Sequence, residues 1–217
     1  MEAEAFESLM TALVRDDDSR LSPGDVSAAL GLVINRYNAD RPLTLVEDCL
    51  VDADLVLQTP EHWVNKRSSL RAIEWPIGSN PPKYITEDAF YVYDLPAGDV
   101  ELRLLAGTAT ADQLVRVSYT TVHTTPDTFH ADDCEALVCL GAAILCDQLA
   151  ALYGHASDVA IQADSVNHND KGRQFAARAR EYRARYEGKF GKPTTSSAAS
   201  AIVRPANPRP QPGMFRR

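Results

Sequence analysis

The chain has 217 residues, 45% of them hydrophobic and 24% charged, and a formal net charge of −8. A chain of this length makes one domain, or a core with an insertion, and buries roughly 70% of the surface it exposes when unfolded. It contains no unbroken run of about 18 apolar residues, which argues against a membrane span. Its opening stretch, Met1 to Asp18, is acidic and amphipathic where a secretory signal would start basic and continue apolar.

The charge is unevenly placed. Gly191 to Arg217 holds Lys192, Arg204, Arg209, Arg216 and Arg217 and no acid, so removing those five charges from the total leaves −13 on residues 1–190. A body that acidic repels phosphate, which argues against a sequence-reading nucleic-acid binder and lets DNA pass without sticking; only the tail has the sign for phosphate.

In chain order, Phe6, Leu9, Met10, Leu13 and Val14 recur at i, i+3, i+4, i+7 and i+8, the apolar stripe of a short helix. Asp16-Asp17-Asp18 ends it, since like charges at a helix C-terminus oppose the dipole. The run reads as solvated charge, lacking the glycine and distal glutamate of a calcium loop. A second helix begins at Ser22, a favourable N-cap, with Pro23 at the first helical position and Asp25 complementing the N-terminal dipole. Val26, Leu30, Val33, Ile34 and Tyr37 form its face. The stretch Asn38-Ala39-Asp40-Arg41-Pro42 breaks it, because a residue before proline avoids the helical region.

From about Leu43 to His123 the period shortens to two. Val100, Leu102 and Leu104 alternate with Glu101 and Arg103, and Val115, Val117, Tyr119 and Thr121 with Arg116, Ser118 and Thr120, as in strands with one wet face. Cys49 to Gln58, Ser69 to Trp75 and Ala89 to Tyr93 are further strand candidates, separated by turn-rich residues 76–82 and 95–99. The apolar run from Leu45 to Leu57 fits a buried strand or a short helix equally well. Together these make a small antiparallel sheet or sandwich.

Helical spacing returns after Pro126-Asp127. Cys134, Leu137, Val138, Gly141, Ile144, Leu145, Leu149 and Leu152 give a broad apolar face over about His130 to Tyr153, the central core element, with Gly154 as its C-terminal cap. Residues 158–166 read as a linker. A last helix over about Asp170 to Tyr186 carries Phe175, Ala179, Tyr182 and Tyr186 on a narrow stripe, surrounded by Arg173, Arg178, Arg180, Arg183 and Arg185. These arginines either lie over the core and pair with the acidic body or pair with acidic groups of a neighbouring subunit. Glu181 and Glu187 interrupt them as a DNA-binding stripe. Beyond Gly191, five prolines and a Thr-Thr-Ser-Ser-Ala-Ala-Ser run leave too little apolar surface to order the segment alone. It is either a frayed terminus or a docking arm, with Ile202-Val203 and Met214-Phe215 as apolar anchors and Arg204, Arg209, Arg216 and Arg217 supplying charge, as in strand addition to a partner's edge.

The fold class expected is therefore α+β: about four helices in a core, an inserted small antiparallel β module, and a disordered or extended C-terminal arm. The divisions fall at residues 1–42, 43–125, 126–190 and 191–217.

Catalytic chemistry lacks residues in a recognisable pattern. His62, His123, His130, His155 and His168 are scattered, and no nucleophile elbow, zinc-protease, P-loop or dinucleotide fingerprint occurs. Cys49, Cys134, Cys139 and Cys146 make no C-x-x-C pair and read as buried thiols acting as small apolar groups. The sequence thus calls for no catalytic residue, no metal and no cofactor. An alternative from another class is a small metal-dependent hydrolase using His130, Asp132 and Asp133; against it, an acidic first turn complements the helix dipole. A third is a regulator that binds nucleic acid through the basic arm.

The order of a capped helix ending in Ile34-Asn35-Arg36-Tyr37-Asn38-Ala39-Asp40-Arg41-Pro42, a β insertion, a long apolar helix, Ala163-Asp164-Ser165-Val166 and then Tyr182-Arg183-Ala184-Arg185-Tyr186 resembles the head-to-tail adaptor, or connector, proteins of long-tailed bacteriophages. The resemblance covers about residues 22–190 and the tail, and the β insertion makes this chain larger than the compact all-helical members. It implies a homo-oligomeric ring, typically of twelve subunits, made in the host cytoplasm and seated in the virion neck between the portal protein and a stopper or tail-completion protein. Double-stranded DNA would pass through its lumen without sequence recognition, and no membrane is involved. It also implies an arm, at about Ile202 to Arg217, that reaches the portal. Another neck component, such as a stopper or tail-completion protein, is the nearest alternative.

Overall fold

The structure, a computed structural model, describes residues 1–96, 98–105, 108–156 and 168–192, with side chains at 155, 156 and 168–170 left aside. Helix α1 (Ala3–Val14) buries Phe6, Met10 and Val14 and ends with Arg15 in the left-handed region, φ 53°. Helix α2 (Pro23–Asp40) opens with a reciprocal capping box: the Asp25 N–H donates to Ser22 Oγ at 3.2 Å and the Ser22 N–H to Asp25 Oδ2 at 2.8 Å. The expected break at Asn38 comes later. The helix continues to Asp40, and only Arg41, extended before Pro42, leaves it.

Helix α3 (Cys134–Ala156) follows a 3₁₀ turn at Ala131–Asp133, and helix α4 (His168–Phe190) returns along it. Helices α1, α2 and α4 all pack against α3, so Ala136, Leu137, Val138, Cys139, Leu140, Ala142, Ala143, Leu145 and Cys146 are buried nearly all round it. The 3₁₀ turn and most of α3 together, Ala131–Gly154, are long and apolar enough by composition to cross a bilayer, which the sequence expectation did not allow; 67% of the most apolar window is buried inside the molecule. Two residues depart from the expected face. Leu152 is exposed, and Gly154 is no cap, because the helix runs on to Ala156. Gly141 marks a close approach: a Cβ there would stand 1.9 Å from Met10 Sδ, so the absent side chain is what admits α1.

Between α2 and α3 lies the β lobe, two three-stranded antiparallel sheets ordered β1-β6-β3 and β2-β5-β4. The strands are β1 (Leu43–Leu50), β2 (Val56–Leu57), β3 (Ser69–Glu74), β4 (Phe90–Asp94), β5 (Val100–Leu104) and β6 (Leu114–Thr121). The single strand expected over Cys49 to Gln58 is instead a corner. The Asp52 carboxylate accepts the N–H groups of Asp54 and Val56 at 2.9 and 2.8 Å, which turns the chain, and the Gln58 N–H donates to Leu50 O, joining the two sheets. Val100, Leu102 and Leu104 of β5 meet Val115, Val117 and Tyr119 of β6 in a core separate from the helical one.

Candidate interaction surfaces

The helical core and the β lobe meet where the chain crosses between them. Asn38, near the end of α2, donates from Nδ2 to His123 O at 3.0 Å and accepts the His123 N–H at Oδ1 at 2.6 Å. The His123 ring, 2% exposed, lies between Thr128 Oγ1 at 2.8 Å and Arg41 O at 3.1 Å and rests against Tyr37, with ring centroids 4.7 Å apart. In the neutral ring Nε2 donates to the Arg41 carbonyl, while Nδ1 faces the Thr128 hydroxyl, which also bonds Thr125 O at 2.8 Å.

Next to it Asp133, 1% exposed, gathers three donors. Tyr37 Oη and Arg41 Nη1 each donate to Oδ2 at 2.8 Å, and Lys189 of α4 stands 3.0 Å from Oδ1. Burial pushes this carboxyl up, but the bonds from Lys189, Tyr37 and Arg41 together outweigh it and hold the pKa below 3.8. Burial and the bond to Asp133 push the Tyr37 phenol up to about 12. The knot thus holds a neutral phenol and a carboxylate. His130 and Asp132 are exposed whereas Asp133 is buried, and the three are not grouped as the metal-dependent hydrolase alternative requires. Among the described residues no three His, Cys, Asp or Glu side chains are grouped to hold a metal ion.

Sequence reasoning treated residues 38–42 as a helix breaker and Asp133 as a dipole complement, and passed over Lys189. The available signal was the nearness of Tyr37 and Arg41 at the end of α2, where the Arg41 N–H still donates to Tyr37 O; the partners 92 and more residues away had none.

Burial lowers the pKa of His123 below 6.5, with the charges of His130 and Arg41 acting in the same direction against its bond to Arg41 O. The unfolded chain therefore takes up a proton near pH 6.5 that the folded chain refuses until lower pH. The stability from the neutral ring is complete above 6.5 and declines as pH falls from there toward the folded value. A lower urea midpoint at pH 5.5 than at 7.5, with a smaller difference in His123→Gln, is the expected result.

Each arginine of α4 can now be placed. Arg183 pairs with Asp147 of α3, and Arg185 pairs with Glu181 at 2.6 Å and lies over the Tyr182 ring. Arg178 donates to Val14 O at 3.3 Å at the end of α1 and covers Phe175. Arg173 and Arg180 are exposed, with no partner among the described residues. The tyrosines of the stripe tie the bundle together: Tyr182 donates to Leu13 O at 3.1 Å, and Tyr186 to Asp40, which Arg36 also pairs at 2.8 Å. Asp18 is not simply solvated. It accepts from Tyr153 Oη at 2.5 Å and Lys171 Nζ at 2.8 Å, while Asp16 accepts the Leu21 N–H.

Beside Arg185, an open apolar groove of about 440 Å³ runs between α1 and α3, lined by Leu9, Leu13, Val138 and Cys139. A second cleft, about 490 Å³, lies between β1 and the segment Glu61 to Val64. The four cysteines are free thiols; Cys49, Cys139 and Cys146 are buried, and burial raises Cys49 and Cys146 to about 11, so neither is a thiolate at neutral pH. Ile202, Val203, Arg204, Arg209, Met214, Phe215, Arg216 and Arg217, and the linker at 158–166, lie outside the described residues. No family model matches the chain, and no curated protein matches it.

Proposed function

We propose that this chain is a structural adaptor of a phage neck, a homo-oligomeric ring joining the portal vertex to the stopper or tail and letting DNA pass through its lumen. The observation that carries the reading is the state of α4: of five arginines, three are absorbed within the chain, whereas Arg173 and Arg180 stand exposed on a body whose first 190 residues carry −13. A second copy of the same chain supplies the carboxylates they lack. The groove holding Leu9, which is 47% exposed, offers apolar surface beside Arg185. In a closed ring each contact is heterologous, so the exposed arginines of one copy meet a different, acidic face of the next. The buried titratable groups fit the same reading, since His123 is engaged where the two lobes meet and Asp133 ties α2 and α4 to the start of α3.

The basic arm is assigned to the portal. Truncation after Lys192 removes no residue of the helical or β cores, so the shortened chain is expected to stay folded, with amides at the centre of α3 keeping their protection from exchange. It is also expected to lose co-sedimentation with the cognate portal and to leave filled heads without tails. Normal joining of tails to heads by the truncated chain would overturn the assignment. Size in solution, alone and after mixing with portal, tests the ring directly: a chain that stays monomeric on the portal is no adaptor.

A further inference from the structure

The β lobe ends on an unguarded edge. Strand β4 is the outer member of the β2-β5-β4 sheet, and among the described residues it pairs only with β5. Backbone bonds join Leu105 to Ala89 and Leu95 to Asp99, so by the alternation of an antiparallel ladder Tyr91 and Tyr93 also direct their N–H and C=O toward β5. Those of Phe90, Val92 and Asp94 therefore face outward, and among the described residues no backbone bond reaches them. The edge is apolar as well as open: Tyr91, Val92 and Tyr93 are 42%, 44% and 43% exposed. β4 holds no lysine, proline or bulge, the usual devices that keep an edge from pairing.

Charge selects the occupant. Residues 87–104 carry Glu87, Asp88, Asp94, Asp99 and Glu101 against Arg103 alone, so two β4 edges brought together would repel. A segment with apolar β-branched residues and positive charge suits the edge, and the sequence of residues 193–217 contains one. Ile202-Val203 is followed by Arg204 and stopped by Pro205, in a stretch without a single acid. The ten residues from Lys192 to Ile202 reach at most about 35 Å when extended. With Ile202 beside Val92, Arg204 falls next to Asp94 if the added strand is parallel, or toward Asp88 and Glu87 if antiparallel. Either direction pairs the guanidinium with carboxylates.

We propose that the open edge of β4 is a strand-addition site for residues 201–204 of this chain. The proposal needs no portal and is independent of the adaptor reading. If both hold, the edge engages the first anchor of the arm and leaves Met214-Phe215 for the portal.

Residue-resolved amide hydrogen exchange on the full-length protein, without portal, tests it against a Val203→Pro variant and an Ile202→Asp/Val203→Asp variant. The Val92 amide is expected to exchange at least about tenfold more slowly in the parent chain than in either variant. Protection that grows with protein concentration places the strand in a neighbouring copy, and protection independent of concentration places it in the same chain. Equal exchange in all three proteins overturns the proposal, as does protection that survives in both variants, because something other than residues 201–204 then covers the edge. Portal binding does not enter these measurements, so their failure and failure of the adaptor reading are separate results.

Discussion

Tyr119→Ala is expected to destabilise the β lobe by about 3–5 kcal/mol, the usual cost of removing a large aromatic side chain from a packed core. Tyr119 is fully buried, with its ring 5.9 Å from that of Trp63 and its hydroxyl 3.2 Å from Glu47 Oε2. The cavity would open over the inner face of the β1-β6-β3 sheet, beside Leu45 and Leu70, which stand opposite this residue on β1 and β3. The two hydrophobic clusters are separate, so the loss should be local. In native-state hydrogen exchange, amides of β1, β5 and β6 should lose protection while those at the centre of α3 keep theirs. Equal loss in both lobes would mean that they unfold as one unit.

Asp133→Ala is expected to cost about 2–4 kcal/mol, less than a fully buried ion pair broken on one side. The moderation comes from exposure: the side chains of Arg41 and Lys189 are 46% and 38% exposed, so both charges can turn to water when the carboxylate is gone. Tyr37 cannot. It is fully buried, and its stranded hydroxyl accounts for roughly 1–3 kcal/mol. Tyr37→Phe in the Asp133→Ala background should therefore recover part of the loss, and urea midpoints of the four proteins in the cycle measure the coupling. If the second substitution recovers nothing, the phenol is not what Asp133 serves. The carboxyl titrates below 3.8 in the folded chain, so its contribution is present above that pH and disappears as the pH falls through the folded value.

Both substitutions concern residues whose importance was invisible at different depths. Tyr119 sat in a clear alternation and was legible as a strand residue. Asp133 looked like one more acid in a helix's first turn, since its partners are Tyr37, Arg41 and Lys189 and only folding brings them together. Among the surface candidates, the arginines of α4 were visible as a group, but their division into paired Arg178, Arg183 and Arg185 and exposed Arg173 and Arg180 depends on where Val14, Asp147 and Glu181 fall.

What the sequence determined by itself is what short-range physics governs. The Ser22-Pro23-Asp25 start of α2 is a local hydrogen-bond exchange, the alternation of β5 and β6 follows the pleat, and the apolar breadth of α3 reflects how much of it must leave water. Tertiary structure decided where local preference was balanced or outbid. At Gly154 a cap was the natural reading, yet the helix continues, and there α4 presses close: a Cβ on Gly172 would stand 3.3 Å from the Ala150 carbonyl oxygen and 3.7 Å from the Gly154 nitrogen. At Asp52 an apolar run was divided because one carboxylate captured two backbone N–H groups and turned the chain into a second sheet. Such outcomes depend on groups that are distant in sequence or on competition for a single acceptor, and a periodic pattern records neither.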